Sequence, residues 1–175
     1  FVAGNGADIA NEFGSYDKEQ LWSYEIGSKW YLFQNKLFFS VAAFYIDANT
    51  WQENRILTDA EGRVLSTNLI SSDAAIKSQG LEAELSGYLT KKLSINLGFG
   101  YTDAQYKDYP FTSTQNLKGN SVYLIPKFDV YLGLIYRFTD HWYVQADLQA
   151  IGKTPLNPEG TAVRDKQYIG GLSAG

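Results

Sequence analysis

The sequence predicts an all-β chain: a segment of an antiparallel transmembrane β-barrel, about seven strands wide, with short turns at one end and long loops at the other. Three observations predict it. Apolar and polar residues alternate with period two over stretches of about a dozen residues, too long for the usual globular strand of about 5–6. The connections between those stretches alternate short and long. Aromatic residues, 15% of the chain, gather beside the short connections.

Composition narrows the field. At 175 residues the chain is long enough for one domain with a core. It contains no Cys, which excludes a disulfide framework and a thiolate metal site. It contains no Met, so Phe1 is not an initiator, and the chain reads as a processed protein or a fragment. No basic-then-apolar leader is visible. The net charge of -4 is spread without single-sign runs, which argues against nucleic acid as a partner. The longest apolar run, "LFFSVAAFYI" from Leu37 to Ile46, falls far short of the roughly 20 residues of a spanning helix. Crossing a membrane by helices is excluded; crossing by strands is not.

The elements follow in order. "LWSYEIGSKWYLF" (Leu21 to Phe33) alternates Tyr24, Ile26, Ser28, Trp30 and Leu32 against Ser23, Glu25, Gly27, Lys29 and Tyr31. The turn "QNK" leads to a second strand, Leu37 to Thr50, and a long polar stretch then runs to Ile76. Within that stretch "DAEGR" reads as a β-turn with Gly62 at its tip, so the loop is expected to rise as its own hairpin. In "GLEAELSGYL", Leu81, Ala83, Leu85, Gly87 and Leu89 oppose Gly80, Glu82, Glu84, Ser86 and Tyr88. After "TKK", Leu93, Ile95, Leu97, Phe99 and Tyr101 oppose Ser94, Asn96, Gly98, Gly100 and Thr102. A polar loop spans Lys107 to Ser121. A fifth strand from Lys127 to Phe138, the turn "TDH", a sixth from Trp142 to Gly152, a third long loop and the start of a seventh, "QYIGGLSAG", complete the chain.

Antiparallel neighbours joined alternately by short and long connections place all tight turns at one end, as in an outer-membrane barrel. Soluble sandwiches mix loop lengths at both ends. Period two does not say which face meets oil. The rings do: Trp30, Tyr31, Phe33, Phe38 and Phe39 flank the first turn, Tyr88 the second, and Tyr136, Phe138, Trp142 and Tyr143 the third. Rings at one level resemble an interfacial girdle, so the apolar face is assigned to lipid and the polar face to a wet lumen. Glu25, Lys29, Glu82, Glu84, Asp129 and Arg137 then all fall on the lumen face, clear of the roughly 2–4 kcal/mol that a midplane Lys or Arg costs in lipid. Seven strands are odd in number, so the chain is read as part of a larger barrel, not expected to insert stably alone.

"WSYEIGSKWYLFQNKLFFSVAAFYID" resembles a stretch common in TonB-dependent outer-membrane receptors of the siderophore-receptor type, with Tyr24, Glu25, Gly27 and Lys29 before the turn and Phe44, Tyr45 and Asp47 after it. "AAIKSQGLEAEL", with Ala75, Lys77, Ser78, Gly80, Leu81, Glu82 and Glu84, is similar to the same family, as is "YLIPKFDVYLGLIYRF" with Pro126 at its head. The ordered series covers the chain from about Trp22 onward. The resemblance implies a roughly 22-stranded barrel around a plug. It also implies energised uptake of a scarce ligand, most often a ferric siderophore, with cobalamin, haem and glycans as other cargoes. The expected partners are that ligand, outer-membrane lipid and a TonB complex acting on parts outside this sequence. Residues 1–175 are expected to be barrel alone, without plug, TonB box or closing strands, and so unable to gate or transduce by themselves. The place is the bacterial outer membrane; no cofactor and no enzymatic role are expected.

Glu82 and Glu84, two carboxylates on one face, could do acid–base work, but they are read as a lumen wall whose charges pair with Lys or Arg of neighbouring strands. His141, the only His, has no second His or Cys for a metal site. "GFGYTD" lacks the third Gly of a dinucleotide fingerprint and lies within a strand; its glycines are expected to permit close approach of backbone or plug. Candidate ligand contacts are Trp51, Gln52, Arg55 and Arg63 in one long loop and Tyr106, Tyr109 and Phe111 in the next, because aromatics and Arg suit flat, anionic iron chelates. Two alternatives stand beside the receptor: a passive porin, marked by a loop narrowing the pore, and a soluble lipocalin-type carrier with an apolar interior. An outer-membrane hydrolase lacks an assembled Ser/His/Asp set.

Overall fold

The structure, a computed structural model, describes residues 18–58, 63–112 and 114–175. They form strands β1 (Gln20–Leu32), β2 (Leu37–Thr58), β3 (Val64–Tyr88), β4 (Leu93–Asp108), β5 (Phe128–Arg137), β6 (Tyr143–Ile151), β7 (Thr154–Pro155), β8 (Val163–Arg164) and β9 (Gln167–Ala174). There is no helix among the described residues. Seven of the strands make one antiparallel sheet in the order β1-β2-β3-β4-β5-β6-β9, with β1 and β9 at its open edges. β7 and β8 form a small separate hairpin inside the third long loop.

Two strands outrun the expectation. β2 has 22 residues and β3 has 25. Residues 50–58 and 64–76 are therefore a continuation of the ladder, pairing Glu53 with Ser71, Arg55 with Leu69 and Thr58 with Val64. Its own Ile56, Leu57, Val64 and Ile70 are β-formers interspersed with polar residues, which blurred the pattern. Register shifts at Ala48/Trp51 and Trp51/Glu53 allow the hairpin to break from the wall below it. The turn assigned to Gly62 lies outside the described residues.

Register joins the expected faces across the whole sheet. Glu25 pairs with Phe44, Phe44 with Gly80 and Gly80 with Thr102. One step along, Ala42 pairs with Glu82, Glu82 with Gly100, Gly100 with Asp129 and Asp129 with Ile151. Directly paired residues share a face. Glu25, Lys29, Glu82, Glu84, Asp129 and Arg137 therefore stand on one side. The other side carries Ile26, Ala43, Leu81, Tyr101 and Phe128, and further down Leu85, Leu97, Leu132 and Leu148. The apolar side is bare: Ile26 is 77% exposed and Leu172 is 79% exposed. Water does not tolerate so large an apolar surface; hydrocarbon does.

Two aromatic levels bound that surface. At the turn end Trp30 stacks on Phe39 at 5.3 Å and Tyr136 meets Phe138 edge-on at 4.9 Å. At the loop end Tyr24 pairs with Tyr45 and Tyr101 with Phe128. From Leu93 to Tyr101 is roughly 27 Å of strand at about 3.4 Å per residue. Tilted by about 40°, it gives ~20 Å, near the apolar band of about 25 Å found in such barrels.

The short turns use two devices. Phe33, Gln34 and Asn35 are all left-handed, with φ of 53°, 60° and 65°, and Lys36 N donates to Phe33 O at 3.4 Å. The other two turns each open on a threonine. Thr90 Oγ1 accepts from the amides of Lys92 (3.1 Å) and Leu93 (3.0 Å). Thr139 Oγ1 accepts from those of His141 (3.3 Å) and Trp142 (3.1 Å). A short hydroxyl side chain thus replaces backbone pairing where the chain reverses.

Candidate functional site

The charged side of the sheet borders a cavity of about 750 Å³, lined by Glu25, Lys29, Glu82, Glu84, Asn96, Asp129 and Tyr131. The wall was expected to balance its carboxylates against cations of neighbouring strands. Instead Glu82 stands between Ala42 and Gly100, and Glu84 between Ser40 and Gly98. Neither makes an ion pair among the described residues. Further round, Asp147 accepts from Tyr131 Oη at 2.7 Å and Gln145 Nε2 at 2.8 Å, and Asp129 accepts from Gln149 Nε2 at 3.0 Å. A Cβ added at Gly98 would meet nothing within 4 Å, and one at Gly100 only Asp129 O at 4.0 Å. These glycines leave room on the lumen side. Among the described residues no group of three or more His, Cys, Asp or Glu could hold a metal ion.

The main buried cluster sits above this wall, at the loop end. β4 continues past the upper aromatic level, and the chain after it folds back on the lumen side of β2, β3 and β4. Val122 N donates to Ala104 O at 3.0 Å, Tyr106 N to Asn120 O at 3.0 Å and Gly119 N to Tyr106 O at 2.9 Å. Leu117 N donates to Tyr109 O at 2.9 Å. Ala48, Ala74, Ile76, Ala104, Tyr106, Tyr109, Phe111, Leu117 and Val122 are buried together there. Asn116 Oδ1 takes the amides of Tyr109 (3.2 Å) and Lys118 (2.9 Å), so even the loop tip is ordered by its own side chains.

One carboxylate ties this loop to the rising hairpin. Glu53, 8% exposed, accepts from Tyr106 Oη at 3.0 Å, Trp51 Nε1 at 3.2 Å and, through its other oxygen, Tyr123 Oη at 3.3 Å. Three neutral donors stand in for a cation, which is how a buried carboxylate is accommodated without an ion pair. Burial, and then the Glu53 charge, holds the Tyr106 and Tyr109 hydroxyls well above the ordinary phenol range; Tyr123 is raised for the same reasons. The folded loop therefore prefers protonated phenols. That stabilisation is complete below about pH 10, the unfolded tyrosine value, and is lost as pH rises towards the higher folded values. Amide exchange in residues 117–122 is accordingly expected to hold its protection from neutral pH to about pH 10 and to accelerate beyond it.

The expected ligand contacts divide. Tyr106 (1% exposed), Tyr109 (2%) and Phe111 (6%) are packed into the cluster, with Tyr106 and Tyr109 rings 4.7 Å apart. In this arrangement they offer no face to a ligand. Trp51 is half-buried against the cluster. Gln52 is also half-buried, and its amide donates to Glu19 Oε1 at 3.1 Å. Arg55 lies on the extended part of β2, and Arg63 is exposed between β2 and β3. The sequence reading missed Glu53, Tyr123, Leu117 and Val122. The available signal was weak: Leu117 is a lone apolar residue in a polar stretch, and Val122 only opens the short run "VYLI" before Pro126. His141 sits exposed in the third short turn.

Comparison with known proteins follows the same outline. A metal-pseudopaline receptor, CntO of Pseudomonas aeruginosa, is 26% identical over 151 residues in each of two strains, UCBPP-PA14 and PAO1. That alignment takes in 86% of this chain and 19% of the relative. The crystal structure of the siderophore receptor PiuA from Acinetobacter baumannii superposes with a TM-score of 0.71 at 20% identity, covering 88% of this chain and 22% of that one. BauA, the ferric preacinetobactin receptor of the same organism, gives 0.68 at 18% identity over 88% and 22%. The chain thus spans about a fifth of the proteins it matches. At such identities the solved structures speak for the fold. The family profile speaks for descent: it matches residues 1–171, and its members are outer-membrane receptors and transporters, not enzymes. The chain belongs to the TonB dependent receptor-like, beta-barrel family.

Proposed function

We propose that the parent protein captures a metal chelate at the cell surface, a ferric siderophore first among the candidates, and passes it through the barrel at the expense of TonB-coupled energy. The family match over residues 1–171 carries the reading. The lumen wall supports it, since unpaired Glu82 and Glu84 and the open glycines Gly98 and Gly100 suit a protein occupant such as a plug, which would bring its own cations and backbone. The names of the relatives, receptors for metal-pseudopaline and for siderophores, support the class of cargo. Trp51, Gln52, Arg55 and Arg63 are the proposed contacts at the mouth. Tyr106, Tyr109 and Phe111 are proposed to act by packing the β4–β5 loop against the hairpin that carries those contacts.

The loop folded to the lumen side is also a mark of a porin, so the test must separate the two. The full-length parent is expressed in iron-starved cells lacking their own receptors, and uptake of labelled ferric siderophores is measured beside cobalamin and haem. Saturable uptake of one chelate, abolished by deleting the TonB system, is the expected result. Uptake of small solutes indifferent to that deletion would make the protein a passive pore.

A further inference from the structure

Register divides the rings beside the short turns between the two faces of the sheet. Trp30 pairs with Phe39 and Tyr136 with Leu93, on the apolar side. Tyr31 and Phe38 belong to the other side. Their row runs from Tyr31 through Phe38, Ser86, Asn96 and Gly133 to Asp147. Nearer the turns, Tyr88 pairs with Ser94 and Tyr143 with Arg137, again on the charged side. Tyr88 N donates to Lys36 O at 2.8 Å, which sets Lys36 beside it. Lipid does not reach these rings, and yet Tyr31 is 69% and Tyr88 is 55% exposed.

Charge changes sign along the same wall. At mid-height Glu25, Glu82, Glu84 and Asp129 share the cavity with one cation, Lys29. At the turn end stand Lys36, Lys92 and Arg137. Asp147, the acid of the Tyr31 row, is already occupied by Tyr131 Oη and Gln145 Nε2. Lys92 Nζ is drawn aside to Phe138 O at 3.1 Å. Arg137 lies over the Tyr143 ring, 6.0 Å from its centroid. Neither Lys36 nor Arg137 makes an ion pair among the described residues, Asp140 of the third turn included.

We propose that this aromatic and basic strip seats an acidic, apolar segment of the parent's own plug, supplied from outside residues 1–175 and lying across the lumen mouth at the short-turn end. Rings this open in a wet lumen call for a standing cover and not a passing cargo. The strip crosses β1 to β6, five strand spacings, or about 24 Å at roughly 4.8 Å each. That is the reach of about seven residues of extended peptide. This chain spans about a fifth of the relatives it matches, so such proteins have ample further chain to supply the segment. An occupant that meets Glu82 and Glu84 with cations must meet Lys36 and Arg137 with carboxylates. The reversal of charge on the wall therefore sets which part of the occupant points towards the turns. The inference rests on the receptor reading, which supposes a plug in the lumen.

The test places the photo-crosslinker p-benzoylphenylalanine at Tyr31, Phe38 or Tyr88, one position at a time, in the full-length receptor in outer membranes. Cross-linked peptides are located by mass spectrometry. Each position is expected to join an Asp- or Glu-bearing segment of the same polypeptide outside residues 1–175. The same label at Trp142, on the lipid side, is expected to give no such product. K36E/R137E is expected to lower the cross-link yield at least tenfold while the barrel stays folded by heat modifiability. Cross-links to a basic segment, or to a separate protein, overturn the proposal, as does a yield unchanged in K36E/R137E. Absence of intramolecular cross-links with TonB-dependent uptake intact overturns this proposal alone. Their absence together with passive entry of small solutes overturns the receptor reading as well.

Discussion

Replacing Tyr106 by Ala opens the loop between β4 and β5 while leaving the barrel wall standing. The ring is 1% exposed, packs on Tyr109 at 4.7 Å and donates its hydroxyl to Glu53 at 3.0 Å. Removing a buried aromatic side chain costs about 3–5 kcal/mol. A short loop fixed by one small cluster has little more than that to lose. Trypsin is expected to cut at the exposed Lys118 slowly while the loop is packed and rapidly in Tyr106→Ala. Exchange at the amides of Leu117, Gly119 and Val122 should rise together. Tyr106→Phe keeps the ring and removes the donor, at about 1–3 kcal/mol for a hydrogen bond to a buried carboxylate, and is expected to open the loop far less. Equal opening in both variants would mean that Glu53, not ring packing, is the fastening. Thermal unfolding of the barrel should be little changed in either, because the strand pairs below this cluster are all kept.

Gly80→Val is expected to prevent the barrel from assembling. Gly80 pairs with Phe44 on one side and Thr102 on the other. A Cβ there would lie 2.6 and 2.7 Å from two atoms of the Phe44 ring and still closer to the carbonyl oxygen of Tyr101. The ring can turn away, but the carbonyl belongs to the ladder and cannot. Yield of heat-modifiable, folded receptor in membranes should fall at least tenfold, and Phe44→Ala should restore only part of it. Gly98→Ala, on the same face of the next strand, meets nothing within 4 Å and is expected to fold like wild type. If Gly80→Val folded normally, the close approach of β2, β3 and β4 at this point would be wrong.

The sheet was legible because its signal is repeated. Each strand alone is ambiguous, but Leu81–Leu89 and Leu93–Tyr101 alternate in phase, and register carries that phase through Phe128 and Val130 to Ala150. The faces were therefore recoverable from charge placement and rings alone. The loop end was not. Burial there depends on contacts between residues far apart in sequence, such as Glu53 with Tyr123, that leave no periodicity to read. Tyr106, Tyr109 and Phe111 looked like a ligand platform for the reason that makes them a core: aromatic residues bring large area to either use. Only the fold of residues 109–112 and 114–125 back onto Ala104 and Ile76 separates the two. The unpaired state of Glu82 was also hidden, since nothing local places Gly100 and Ala42 opposite it.

The order of the sheet, each strand beside its neighbour in sequence, bears on how such a wall is made. Every pairing from β1 to β6 closes through a connection between consecutive strands, and only the step from β6 to β9 passes over an intervening hairpin. The entropy of closure is therefore met in small instalments, none of which waits for the distant end of the chain. A wall of this kind can lengthen by one hairpin at a time, each new strand templated by the exposed edge of the last. The same property lets evolution add or remove strands in pairs without disturbing those already laid down.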